Sequence, residues 1–228
     1  MEKKESYRKD LPHFQQPGQA YFVTWCLHDS VPPKALERYS NSLKNAKSEI
    51  KIAKTNNVNE AVIDELKLKY NSVRRQYMKA LDDLLHLQTD SSTDLSKNEN
   101  ILILIETLRF WEGKRIENYA FCVMPNHIHW VFRTFEKDEN GKPVYLQDIL
   151  QSVKRFSANK LTQLVGKTGT VWQSESYDTT IRDNNHLQRA IDYTLNNPVK
   201  AGLVNDWTDW KGTMLFRENG GTEFRLRD

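Results

Sequence analysis

The run Val123-Met124-Pro125-Asn126-His127-Ile128-His129-Trp130-Val131-Phe132 decides how this chain is read. One apolar residue separates the two histidines in a segment rich in β-formers. Side chains of a strand alternate faces, so His127 and His129 point the same way while Ile128, Trp130 and Phe132 point the other. One face is then a core face. The other carries two imidazoles close enough to grip a single divalent ion, half of a metal site. A phosphodiester is one substrate such sites handle.

Working outward, the turn at Pro125-Asn126 joins this strand to an earlier one over residues 118–123. Residues 20–28 are β-branched and aromatic and predict a further strand, which Val31-Pro32-Pro33 ends. From residue 34 to 88 the sequence turns polar. Leu36, Leu43 and Ile50 recur at seven-residue spacing, and Val62, Leu66, Tyr70, Val73, Tyr77, Leu81 and Leu84 follow after Thr55-Asn56-Asn57. That pattern predicts two helices with narrow apolar seams, paired as an antiparallel hairpin inserted over 34–98, with residues 89–100 as its exit loop. The hairpin is either a nucleic-acid clamp, a dimerisation arm, or a solvated insertion closed on itself.

Helices are also expected over 101–111, over 146–164 with Ile149, Val153, Phe156 and Leu161 apolar, and over 185–197, where Pro198 would end the last. The tail containing Trp207 and Trp210 has no assigned element. The order strand, helix, strand, strand, helix, strand-like segment, helix predicts an α+β fold, with helices packed on an antiparallel sheet.

Composition bounds the function. The 228 residues are 38% hydrophobic and 28% charged, with no apolar run near the ~20 residues a membrane span needs. Residues 1–5 lack the apolar core of a secretory signal, and the two cysteines, Cys26 and Cys122, lie in apolar runs expected to be buried and reduced. A cytoplasmic location is expected. The net charge of +3, from 33 Lys and Arg against 30 Asp and Glu, requires any basic surface to be a local patch.

On the last helix, Leu187, Ala190, Ile191, Thr194 and Leu195 follow core spacing, whereas Tyr193 and Asn197 share a polar stripe with His186 and Arg189. Tyr193 there could serve as nucleophile and Asn197 as a third, neutral ligand to the ion. A phenol with pKa near ~10 needs such help at neutral pH. Each residue also has an ordinary reading: two unremarkable strand histidines, a half-buried tyrosine, an amide at a helix stop. Tyr177 is the rival nucleophile, without an amide one turn away.

The motif Met124-Pro125-Asn126-His127-Ile128-His129 resembles the His-hydrophobic-His signature of single-tyrosine transposases of the IS200/IS605 type. The run Asn196-Asn197-Pro198-Val199-Lys200-Ala201-Gly202-Leu203-Val204 is similar to the C-terminal signature of their REP-associated branch. Tyr21-Phe22-Val23-Thr24, Val171-Trp172-Gln173, Tyr177-Asp178 and Ile181-Arg182-Asp183 also fit that branch. Residues 18–30 and 101–206 carry the resemblance; the helical insertion lies outside it.

The resemblance implies an RRM/ferredoxin-like HUH nuclease fold and cleavage and rejoining of single-stranded DNA through a 5′-phosphotyrosine, dependent on Mg²⁺ or Mn²⁺. Carried onto this chain, it makes His127, His129 and Asn197 metal ligands and Tyr193 the nucleophile, acting on a hairpin-forming repetitive element. The insertion-sequence branch typically has Gln where Asn197 stands. Lys154, Arg155, Lys160, Arg182 and Arg189 are candidate phosphate contacts, and Trp172 and Tyr177 either stack on bases or belong to the core. A homodimer and a monomer both fit.

The competing reading is a non-catalytic module binding single-stranded nucleic acid on an RRM-like sheet. A small metal phosphoesterase fits poorly: position 131 is Val131, not a third alternate His, and no second His-x-Thr/Ser element occurs. No Asp/Glu cluster accompanies the histidines for an acid-rich two-metal site.

Overall fold

The computed structural model describes residues 6–8, 12–32, 34–87, 91–166, 169–216 and 222–223. Residues 1–5, where no secretory signal is expected, and 88–90, at the start of the expected exit loop, lie outside the described residues. Among those described, no helix is long and apolar enough to cross a membrane.

Two compact units divide the chain, Met1–His28 with Ser91–Asp228, and Asp29–Asp90. In the first, β1 (Ser6–Arg8) pairs with β2 (Pro12–Phe14) apart from the main sheet. The remaining strands are β3 (Ala20–Cys26), β4 (Ile116–Val123), β5 (His127–Thr134), β6 (Tyr177–Thr180), β7 (Thr213–Phe216) and β8 (Thr222–Glu223). They form one antiparallel sheet in the order β6-β3-β5-β4-β7-β8. Helix α3 (Asn98–Arg109) connects β3 towards β4, and α4 (Leu146–Val165) connects β5 to β6. The four central strands thus run fourth-first-third-second in chain order, the expected RRM/ferredoxin-like arrangement.

The two faces of this sheet bury different things. Tyr21, Val23, Trp25, Phe121, Val123, Ile128, Trp130 and Phe132 form the main core with Ile101, Leu104 and Leu108 of α3 and Ile149, Val153 and Leu161 of α4. The opposite face receives α5 (Asn184–Lys200), whose Ala190 joins Val131 and Ile181 in a second, smaller cluster. A bulge at Tyr119 makes this division possible, because the β4–β5 register shifts between Asn118 and Ala120. Without it Ile116 and Asn118 would share a face with Ala120 and Cys122. The extra residue flips the alternation and puts Asn118 on the core side, where its Oδ1 accepts the Trp130 indole N–H at 2.6 Å.

Two expectations need correction. Phe156 is 43% exposed, because the buried stripe of α4 runs through Ile149, Val153, Ser157 and Leu161; Phe156 falls to one side, under the Lys160 ammonium at 5.6 Å. Pro198 does not end α5 but is buried inside its last turn. The stop is Gly202 at φ 70°, where Gly202 N–H donates to Val199 O and Leu203 N–H to Pro198 O, both at 2.9 Å, the Schellman pairing. The unassigned tail supplies β7, docked on β4 where Trp210 Nε1 donates to Val123 O at 2.8 Å.

In the second unit, α1 (Glu37–Thr55) and α2 (Glu60–Leu87) form the expected hairpin. Asn57 at φ 51° makes the left-handed turn after α1, a conformation Asn tolerates. Leu43, Ala46 and Ala53 are buried on α1, and Tyr77, Leu81 and Leu85 on α2, so Leu85 rather than Leu84 continues the seam. Residues from 91 onward belong to the first unit: Leu95 sits in its core and donates its N–H to Pro125 O at 2.8 Å.

Candidate metal centre and tyrosine

The two histidines are delivered by a three-residue turn that its backbone hydrogen bonds tie to neighbouring segments. Met124 N–H donates to His127 O at 2.8 Å, Asn126 O accepts from Leu27 N–H at 2.9 Å, and Pro125 O accepts from Leu95. In the register, His129 stands between Thr24 of β3 and Cys122 of β4, and His127 stands opposite Cys26. All five lie on the α5 side of the sheet, with His127 and His129 essentially buried.

The imidazoles converge. Their Nε2 atoms are 3.0 Å apart, with ring planes near perpendicular at 83°. His127 Nδ1 lies 2.7 Å from Asn126 Oδ1, and His129 Nδ1 lies 2.8 Å from Thr24 Oγ1. Two nitrogens each about 2.1 Å from one ion at a right angle stand about 3.0 Å from one another, so the observed spacing suits a shared divalent cation. Among the described residues no group of three His, Cys, Asp or Glu side chains could hold a metal. A third protein ligand would have to be of another type, such as an amide. Asn197 is fully buried on α5, one turn beyond Tyr193.

Tyr193 packs against His129 of this pair. Its ring meets His129 edge to face, centroids 5.3 Å apart, and Phe22 likewise at 5.6 Å. The Lys200 ammonium stands over the same ring at 5.4 Å. Tyr177 is also on the α5 side, opposite Thr24 in the register, and therefore two strands, about 10 Å of sheet, from the histidine strand. Burial pushes the Cys26 and Cys122 thiols that flank the histidines up to about 12, which keeps both protonated and poor ligands near neutrality.

The candidate DNA contacts separate into groups. Trp172 is a core residue: it is buried, its indole N–H donates to Ser157 Oγ at 3.0 Å, and its ring meets Trp25 at 6.1 Å, so no base can stack on it. Tyr177 is buried as well, 6% exposed, which removes it as an open stacking platform. Lys154 is engaged in holding the segment before β6, with Nζ donating to Gln173 O at 2.6 Å, Glu175 O at 3.2 Å and Ser176 Oγ at 3.3 Å. Arg155 and Lys160 are exposed, but α4 covers the sheet face opposite the histidines. Arg182 and Arg189 are exposed around the start of α5. Burial, and then the Arg189 guanidinium, hold His186 beside them below its ordinary pKa.

Sequence reading passed over Thr24, Asn126, Phe22 and Lys200 as contributors. Two signals were available. Thr24 alternates with Phe22 and Cys26 along one strand face, and Lys200 lies seven residues, two helical turns, beyond Tyr193.

A protein of Haemophilus influenzae named as a REP-associated tyrosine transposase is 29% identical over 109 residues, 45% of this chain and 60% of that protein. A REP-associated tyrosine transposase of Escherichia coli is 26% identical over 99 residues, 43% of this chain and 54% of its own length. This chain is a relative of the REP-associated tyrosine transposases. It spans a little over half the length of these curated REP-associated relatives. No protein-family profile matches the chain. A solved REP-associated tyrosine transposase bound to a REP hairpin aligns with 91% of this chain and 80% of that one, at 16% identity and a TM-score of 0.43. The fold assignment stands on the strand order described above.

Proposed function

We propose that this chain is a metal-dependent DNA strand transferase that cleaves and rejoins single-stranded, hairpin-forming DNA through Tyr193. The observation that carries the reading is the packing of the Tyr193 ring on His129, whose Nε2 meets that of His127 at 3.0 Å. Kinship with the REP-associated tyrosine transposases supports it.

His127, His129 and Asn197 would hold the divalent cation, Mg²⁺ or Mn²⁺. Bound there, such an ion neutralises charge gathering on the scissile phosphate and favours the ionised phenol. Phe22 and His129 confine the Tyr193 ring, so the phenol is presented with little orientational freedom to lose. Lys200 adds positive charge beside it. The phenol gives up its proton as its oxygen bonds to phosphorus, and the bond to the 3′-oxygen breaks. That oxygen leaves as a 3′-hydroxyl after taking a proton, and the DNA remains as a 5′-phosphotyrosine. Attack by a 3′-hydroxyl on the same phosphorus reverses these steps, restores the phenol and joins the strands. Arg182 and Arg189 are the cations best disposed to track the DNA backbone towards this site.

The test is incubation with a single-stranded hairpin labelled at its 3′ end, the side of the cut that stays joined to the tyrosine, and Mn²⁺, followed by denaturing electrophoresis. A label that stays on the protein, is lost with Tyr193→Phe and persists with Tyr177→Phe supports the proposal. A native mobility shift with no covalent product, for protein that binds Mn²⁺, supports the non-catalytic binding module instead.

A further inference from the structure

We propose that Thr24 and Asn126 are positioning residues that set different tautomers on the two histidines, and that the Thr24 hydroxyl lets His129 exchange tautomers when a cation arrives. The inference rests on the metal site proposed above and deepens it.

An amide oxygen can only accept, so Asn126 Oδ1 at 2.7 Å requires the proton of neutral His127 to sit on Nδ1. His127 Nε2 then presents a lone pair. Only one proton fits between the two Nε2 atoms at 3.0 Å, and it therefore belongs to His129. With its proton on Nε2, His129 has a lone pair on Nδ1, which accepts the Thr24 hydroxyl at 2.8 Å. The result is a directed chain: Thr24 O–H to His129, His129 N–H to His127, His127 N–H to Asn126. Thr24 is 2% exposed, as are Asn126 and His129, and His127 is fully buried, so bulk water does not blur these roles.

A cation held by both Nε2 atoms needs a lone pair on each. His127 already offers one. His129 must move its proton from Nε2 to Nδ1, one proton lost and one gained on the same ring with no net release. Thr24 is then required to accept where it previously donated. A hydroxyl can do both by rotating about its C–O bond, whereas the acceptor-only oxygen of Asn126 cannot. The two outer partners are therefore not equivalent. Asn126 keeps one histidine ready, and Thr24 makes the other convertible while holding its ring in place.

The experiment combines ¹⁵N NMR of the imidazoles with calorimetry. In metal-free protein, protonated Nδ1 on His127 and protonated Nε2 on His129 are expected; with diamagnetic Zn²⁺ as probe, both rings should carry the proton on Nδ1. Thr24→Val, which keeps the shape and removes the hydroxyl, should weaken Mn²⁺ binding by about 10–100-fold, and Thr24→Ser should restore it. The same tautomer on both histidines without metal overturns the inference, and that measurement needs only unmutated protein. Val binding Mn²⁺ as tightly as Thr also overturns it, while leaving the DNA reaction standing. The predicted tautomer change with no DNA adduct supports this inference and removes the tyrosine reaction instead. Unmutated protein that binds neither Mn²⁺ nor Zn²⁺ overturns both.

Discussion

Replacing Trp172 with Phe separates a core role from a DNA-stacking role with one substitution. The phenyl ring cannot donate, so the 3.0 Å bond to Ser157 Oγ is lost. Ser157 still donates to Val153 O at 2.7 Å, and no polar group is stranded there. The hydrogen bond contributes about 1 kcal/mol. The shorter ring also retreats from Trp25, and since complete truncation of a buried Trp costs about 3–5 kcal/mol, the partial loss should add about 1–2 kcal/mol. Together these give about 2–3 kcal/mol, or about 4–12 °C in Tm for a chain of this size. Circular dichroism melting reads the stability, and fluorescence anisotropy with a labelled single-stranded hairpin, well below the melt, reads binding. The structure requires a lower Tm with hairpin affinity held within about threefold. A stacked base would be worth about 1–3 kcal/mol of affinity. An unchanged Tm with affinity at least about tenfold weaker would refute the core assignment.

Lys154→Met should release the segment before β6 and lower stability by about 1.5–3 kcal/mol, read from the denaturant midpoint. It should leave the salt dependence of DNA binding unaltered, where a lost phosphate contact would reduce the slope by about one. Gly212→Ala should destabilise the docking of β7, because a Cβ there would stand 2.5 Å from Val123 O; a melt lowered by several degrees is expected. Cys26 and Cys122 should resist thiol reagents at pH 8 until the protein unfolds. Their folded pKa values, pushed up by burial to about 12 from an ordinary value near 9, mean the native state keeps protons the unfolded state gives up. Their contribution is fully present below pH 9 and is lost as pH rises towards 12, so urea midpoints should fall across that window. Midpoints that rise there would contradict the burial of both thiols.

The strand pair and its histidines were legible because alternation alone fixes which side chains share a face, and the β4–β5 turn keeps that alternation in phase. Tyr193 was legible for a similar reason, since helical spacing sets it off the apolar stripe that runs through Ala190 and Thr194. The bulge at Tyr119 was not. It leaves no local composition signal, and only its consequence, Asn118 facing the core to meet Trp130, reveals it. Pro198 misled because its fixed φ suits a helix interior once its missing N–H is tolerated, and the actual stop depended on Gly202 four residues on. Lys154 misled because charge announces what a side chain can bind while nearby carbonyls decide what it does bind, and for Trp172, left open between stacking and the core, burial decides for the core. Long-range partners such as Thr24, 105 residues from His129, are set by strand register, which no local window contains.

The most direct test is a crystal structure with Mn²⁺ and its anomalous difference map. A single peak about 2.1–2.3 Å from the Nε2 atoms of both His127 and His129, with the Tyr193 ring against the same site, is the result expected. A peak elsewhere on the chain, or imidazoles that bind no ion while Tyr193 turns away from them, would contradict the proposed chemistry.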